Sequence, residues 1–165
     1  MVTESLPSRL RRWTDRSARM LRGRGLLAAI RFVLALVFIY AGAMKLIDPG
    51  TFALAIDSFG LVPWRTARVL SVALPVLEVA GGLGLACNLR GALSLVAGQL
   101  LLFMAVLGYG VLGGLEADCG CFGLDGTAPV GTEELKAAML RDAFMLGGCL
   151  WLHVGRRRAG ASGRP

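Results

Sequence analysis

Four long apolar stretches organise this chain, at about residues 26–47, 67–88, 91–115 and 136–155, and most polar side chains fall between or outside them. A helix rising ~1.5 Å per residue needs about 20 residues to cross ~30 Å of hydrocarbon, and each stretch is long enough. Lipid offers backbone N–H and C=O groups no partners, so the spans must be helical. The pattern predicts an all-α membrane protein, a four-transmembrane-helix bundle forming one compact unit without internal repeats. In the first connection, Phe52, Ala53, Leu54, Ile56, Phe59, Leu61 and Val62 interleave with Asp57 and Ser58, between Pro49 and Pro63-Trp64. That spacing predicts a short interfacial helix after the first span, with Trp64 in the aromatic belt. Residues 1–25 read as a basic arm, 26–155 as the membrane domain and 156–165 as a basic tail.

Composition agrees with this class. Hydrophobic residues make up 55% of the 165 positions and there are 23 glycines; mean hydropathy is +0.64. Soluble domains stay nearer about 45–50% apolar. The net charge of +7 would suit a nucleic-acid partner, but its placement argues against one. Arg9, Arg11, Arg12, Arg16, Arg19, Arg22 and Arg24 precede the first apolar stretch, and Arg156, Arg157, Arg158 and Arg164 follow the last. Basic residues against the ends of apolar segments are orientation signals and contacts to anionic lipid. They predict a multi-pass protein of an inner or plasma membrane with N- and C-termini cytoplasmic. The tight basic turn Asn88-Leu89-Arg90 falls on the same side. The third connection carries Glu116, Asp118, Asp125, Glu133 and Glu134, and belongs outside. Ala41-Gly42-Ala43 resembles a signal-peptide cleavage site. The run before it is long, however, and Lys45 to Pro49 continues as a membrane exit, so the first span is expected to be retained.

Within that outer connection lies Asp118-Cys119-Gly120-Cys121-Phe122-Gly123. An exterior compartment permits disulfides, and Gly120 removes the Cβ that would crowd a bond between Cys119 and Cys121. Such a small ring is strained and exchanges readily, and it closes too little chain to act as a staple. Cys119 and Cys121 are therefore the candidate redox pair of a thiol–disulfide oxidoreductase component. A soft metal and an idle or structural pair are the alternatives. Zinc would need four ligands, and the single histidine, His153, falls at the opposite face, so no metal is expected. Cys87 and Cys149 fall in the inner half of the second and fourth spans, where free buried cysteine is usually inert; an inner dithiol relay is the alternative.

Charges inside a span are costly and mark function or pairing. Glu78 lies near the middle of the second span, Arg141 and Asp142 about a third of the way into the fourth from outside, and Lys45 near the outer end of the first. Glu78 is a candidate proton carrier, or half of an ion pair with Lys45 or Arg141. Lys45, Glu78, Arg141 and Asp142 together are candidates to line a quinone site. Arg31 reads as a snorkelling anchor. Gly81, Gly82, Gly84, Gly110, Gly114, Gly147 and Gly148 read as close-packing positions between helices.

Residues 31–52, with Tyr40-Ala41-Gly42-Ala43-Met44-Lys45-Leu46-Ile47-Asp48-Pro49, resemble the opening of the MauE/DoxX-type redox-associated membrane proteins. Pro75, Glu78 and Gly82 and the Cys119-Gly120-Cys121-Phe122-Gly123 segment are similar to MauE in particular, and the resemblance covers about residues 28–155. It implies a four-helix bundle that assists disulfide formation, processing or export of a periplasmic protein alongside a thioredoxin-like partner. In the family's own context that protein is the small subunit of methylamine dehydrogenase. Two alternatives remain: a quinone-linked membrane oxidoreductase like DoxX, and a non-catalytic subunit that docks a partner through its acidic outer connection.

Overall fold

The computed structural model describes residues 8–114 and 132–161, with side chains over 25–114 and, in the last helix, at 133 and 135–157. Every regular element among them is a helix: α1 Ser8–Ile47, α2 Pro49–Ser58, α3 Trp64–Ala86, α4 Ala92–Leu112 and α5 Thr132–Ala161. The segments 25–47, 64–86 and 92–112 are long and apolar enough to cross a membrane. The fourth apolar stretch lies inside the 30-residue α5, which carries Arg141, Asp142 and His153 along its length. The chain is an all-α, multi-pass membrane protein.

The element boundaries follow local chemistry. From Ser8 onward the basic arm and the first span form one continuous helix of 40 residues. It stops at Asp48, because a residue before proline is pushed out of the helical region. Asp48 then caps α2: its carboxylate accepts the Thr51 amide at 3.1 Å and the Thr51 hydroxyl. Pro49 occupies the first turn, where no amide donor is missed. These bonds, the Thr51 side chain foremost, hold the Asp48 carboxyl below its ordinary value. The second helix-forming stretch starts at Trp64, earlier than residue 67, because Pro63 is its N-cap. It ends at Ala86 rather than 88. Asn88 (φ 57°) and Gly91 (φ 93°) are both left-handed and turn the chain sharply into α4.

The bundle runs α1 up, α3 down, α4 up and α5 down. Its most extensive contacts are α1 against α3 and α4 against α5, and α2 folds back onto α3. Two apolar cores occupy its two ends. At the basic end Leu34, Ala35 and Phe38 of α1 meet Leu85, Val96, Leu100, Cys149 and Leu152. At the other end Phe59 packs with Leu107, Leu135 and Ala138. The outward surface is also apolar: Leu36, Val69, Val76, Leu101, Phe144 and Trp151 are among its exposed side chains. That is the distribution expected when lipid is the solvent.

Candidate functional site

Polar groups concentrate between the two cores. Lys45, Ser71, Glu78, Gln99 and Asp142 are all buried. Small residues set the geometry of the central pair. A Cβ on Gly42 would lie 2.8 Å from the Pro75 carbonyl oxygen and 3.0 Å from Glu78 Cβ, and one on Gly82 would lie 2.9 Å from the Ala35 carbonyl oxygen. Only glycine at both positions lets α1 and α3 come this close. The close crossing places Lys45 of α1 against Glu78 of α3.

Lys45 Nζ donates to Glu78 Oε1 at 2.5 Å, and the two side chains are only 3% and 2% exposed. The ammonium also lies over two ring faces, 5.2 Å from the Phe52 centroid and 4.9 Å from that of Phe103. Charges out of water persist only when paired and further solvated by the protein; here a carboxylate and two ring quadrupoles do this. On α5, Arg141 Nε donates to Asp142 Oδ1 at 3.0 Å. Asp142 Oδ2 is buried with no hydrogen-bond partner among the described residues.

Lys45, Glu78, Arg141 and Asp142 line one small cavity of about 20 Å³. That volume suits one water molecule, and the four groups are formally two cations and two carboxylates. A second, apolar cavity of about 330 Å³ lies between α2, α3 and α4 and is walled by Phe59, Leu70, Leu74, Phe103 and Val106. It exists because α2 leans on α3 and makes no comparable contact with α4. Lys45 lines both cavities, so the ammonium separates a polar chamber from an apolar one.

The structure thus brings together all four intramembrane charges singled out from the sequence. Cys119 and Cys121 lie outside the described residues, as do Glu116, Asp118 and Asp125. Cys87 does not sit within the second span. It caps α3 and is exposed, because the left-handed turn at Asn88 ends the helix at Ala86. Cys149 is buried in the apolar core, and both thiols are free. Among the described residues no three His, Cys, Asp or Glu side chains converge on a point that could hold a metal ion. Phe52 reads from the sequence only as an apolar position of the interfacial helix and Phe103 only as part of an apolar run, so neither signals a ring face over Lys45. Gln99 was also missed; its amide is buried without a hydrogen-bond partner among the described residues. A lone amide amid 92–112 was the available signal.

The family model described as "Methylamine utilisation protein MauE" matches residues 24–155. A protein named "Methylamine utilization protein MauE" from Paracoccus denitrificans is 37% identical over 97 residues, which cover 57% of this chain and 52% of that relative. The chain therefore matches only about half the length of that curated relative. No solved structure matches. The family match takes in α3, α4, the apolar part of α1 and most of α5, with all four charges of the buried cluster; the chain belongs to the MauE family of methylamine utilisation proteins.

Proposed function

We propose that this protein crosses the membrane four times, with both termini cytoplasmic, and exchanges disulfides through Cys119 and Cys121 with an exported thioredoxin-like protein, in the maturation of a periplasmic substrate. Methylamine metabolism is the context that the family suggests. The fourth span is supported by α5 itself: Leu140, Phe144, Leu150 and Trp151 face outward while Asp142 is buried, the arrangement of a helix immersed in lipid.

The observation that carries the redox reading is one of position. The C-terminal end of α4 and the N-terminal end of α5, between which Cys119 and Cys121 fall in the sequence, lie at the end of the bundle nearer the Lys45–Glu78 and Arg141–Asp142 pairs. Exchange with a dithiol partner conserves protons overall, but each attacking thiol must shed a proton and each departing thiolate must regain one. A largely buried cluster with two carboxylates and room for a water is suited to relay such protons. In the exchange, a partner thiolate attacks one sulfur of the Cys119–Cys121 disulfide and frees the other as thiolate. The partner's second thiolate then attacks the mixed disulfide. The partner leaves oxidised and the pair leaves reduced; the reverse sequence transfers the electrons back.

The direct test uses purified protein carrying Cys87→Ser and Cys149→Ser. Incubation with a reduced thioredoxin-like dithiol should raise the count of alkylatable thiols by two, and Cys121→Ser should remove the effect. An unchanged thiol count would overturn the reading.

A second reading, a quinone-linked oxidoreductase like DoxX, is favoured by the apolar cavity of about 330 Å³ with the Lys45 ammonium at its edge. Its volume and walls suit a quinone ring. The residues that would hold it are Phe52, Phe59, Phe103 and Lys45, with Lys45 the donor toward a ring oxygen. A quinone, when bound, would supply a two-electron acceptor inside the membrane. Co-purification of quinone, lost on Ala55→Phe, would support this reading; quinone-free protein that ignores added short-chain quinone would exclude it.

A further inference from the structure

Three arginines from separate parts of the chain meet at the basic end of the bundle, away from the buried charge cluster. Arg31 comes from α1, Arg90 from the α3–α4 turn and Arg156 from α5, and they line one cleft of about 460 Å³. None of the lining residues is acidic. Like charges gathered around one space repel unless an anion lies among them. The arginines are also held in place. Arg156 donates to Asn88 Oδ1 at 2.7 Å. Asn88 and Gly91, with φ of 57° and 93°, fix the turn that brings Arg90 to the cleft. Arg31 Nε is buried and has no hydrogen-bond partner among the described residues. A buried donor without an acceptor is costly, so an acceptor on a bound anion would relieve it.

We propose that this cleft binds the phosphodiester headgroup of an anionic phospholipid. Guanidinium groups suit phosphate oxygens in charge and in fork geometry. Free phosphate is the poorer fit, because Leu27, Ala28 and Leu152 supply an apolar wall on the same cleft. The cleft also lies where the apolar segments 25–47, 64–86 and 92–112 begin or end, the level of headgroups in a bilayer. Basic pockets between helices at a membrane surface recognise headgroups in this way. The bound lipid would tie α1, the α3–α4 turn and α5 together. The site is independent of the redox chemistry at the opposite end.

The test is binding of dioleoyl phosphatidylglycerol, dioleoyl phosphatidylcholine and inorganic phosphate to the purified full chain in detergent, read by native mass spectrometry and thermal melting. Phosphatidylglycerol should bind and raise the melting temperature while phosphatidylcholine and inorganic phosphate do not. Arg90→Gln, in an exposed turn, should weaken phosphatidylglycerol binding about fivefold, the ratio corresponding to ~1 kcal/mol per basic residue at a membrane surface. Arg31→Gln should do the same. Arg157→Gln removes an equal charge outside the cleft and should change binding by less than about twofold. Equal binding of the two lipids would overturn the site. An equal loss in Arg157→Gln would overturn it in favour of diffuse charge, and binding of inorganic phosphate with the same arginine dependence and no advantage for the lipid would overturn the lipid assignment.

Discussion

Replacing Glu78 by Gln removes the carboxylate from Lys45 but keeps nearly the same shape. Lys45 Nζ would then sit in a site 3% exposed, supported by the Phe52 and Phe103 rings, by a neutral amide oxygen in place of the carboxylate, and by Asp142 across the shared cavity. Breaking a buried ion pair by removing one partner costs ~3–5 kcal/mol. The two ring contacts offset ~1–2 kcal/mol of that at most, so the expected loss is ~1–4 kcal/mol. At about 2–4 °C per kcal/mol for a chain of this size, the melting temperature in detergent should fall by ~2–16 °C. The double variant Lys45→Met/Glu78→Gln removes both charges and should recover most of the loss, because an apolar side chain in place of a buried ion is often neutral or better. The coupling from the double-mutant cycle should therefore exceed ~1.5 kcal/mol. Glu78→Asp keeps the charge on a shorter arm and should fall between wild type and Glu78→Gln. Single variants that melt within ~1 °C of wild type, with no coupling in the cycle, would show that the pair neither holds α1 to α3 nor carries the charge assigned to it.

Other expectations follow from separate parts of the structure. Gly82→Ala inserts a Cβ 2.9 Å from the Ala35 carbonyl oxygen and should destabilise by ~1–3 kcal/mol; Gly98→Ala, with nothing within 4 Å, should be neutral or slightly stabilising in the same melting assay. The Asp48 cap depends on an ionised carboxylate whose pKa is lowered on folding, chiefly by the Thr51 side chain. Its contribution is present in full above the ordinary value of 3.8 and is lost as pH falls through the lowered value. Hydrogen exchange across residues 52–58 should accelerate on that acid limb, and Asp48→Ala should exchange fast at every pH; identical protection in the variant would dismiss the cap. Impermeant thiol reagents should reach Cys119 in intact cells while reporters fused beyond Arg157 stay cytoplasmic, and labelling of Cys119 only after lysis would reverse the orientation.

The spans were legible because lipid imposes one rule, a long apolar run, and residues 26–47, 67–88 and 91–115 obey it to within a few positions of the observed helices. Ends were less legible where backbone conformation decides them, as at Asn88, whose left-handed φ carries no hydropathy signal. The four charges stood out because carboxylates and cations are rare in spans, yet their pairing depended on Gly42 and Gly82 setting the α1–α3 approach, a three-dimensional fact. The larger cavity was invisible for a similar reason. Nothing in the order of residues 49–62 says that α2 leans toward α3 and away from α4. The basic cleft joins Arg31, Arg90 and Arg156, three positions far apart in the chain, and only the fold unites them.

The central claim is that the Cys119–Cys121 pair exchanges disulfides with a protein partner. Its most direct test is trapping in cells: thiols are blocked before lysis and Cys119→Ser, Cys121→Ser, Cys87→Ser and Cys149→Ser are compared on non-reducing gels. One of the two outer variants should accumulate a reducible adduct with a thioredoxin-like protein, since the thiol that would resolve it is gone. Both outer variants should keep the wild-type melting temperature, because so short a ring contributes little stability, and the two inner variants should behave as wild type. Full activity in both outer variants without any adduct would contradict the claim and leave a subunit that only docks its partner.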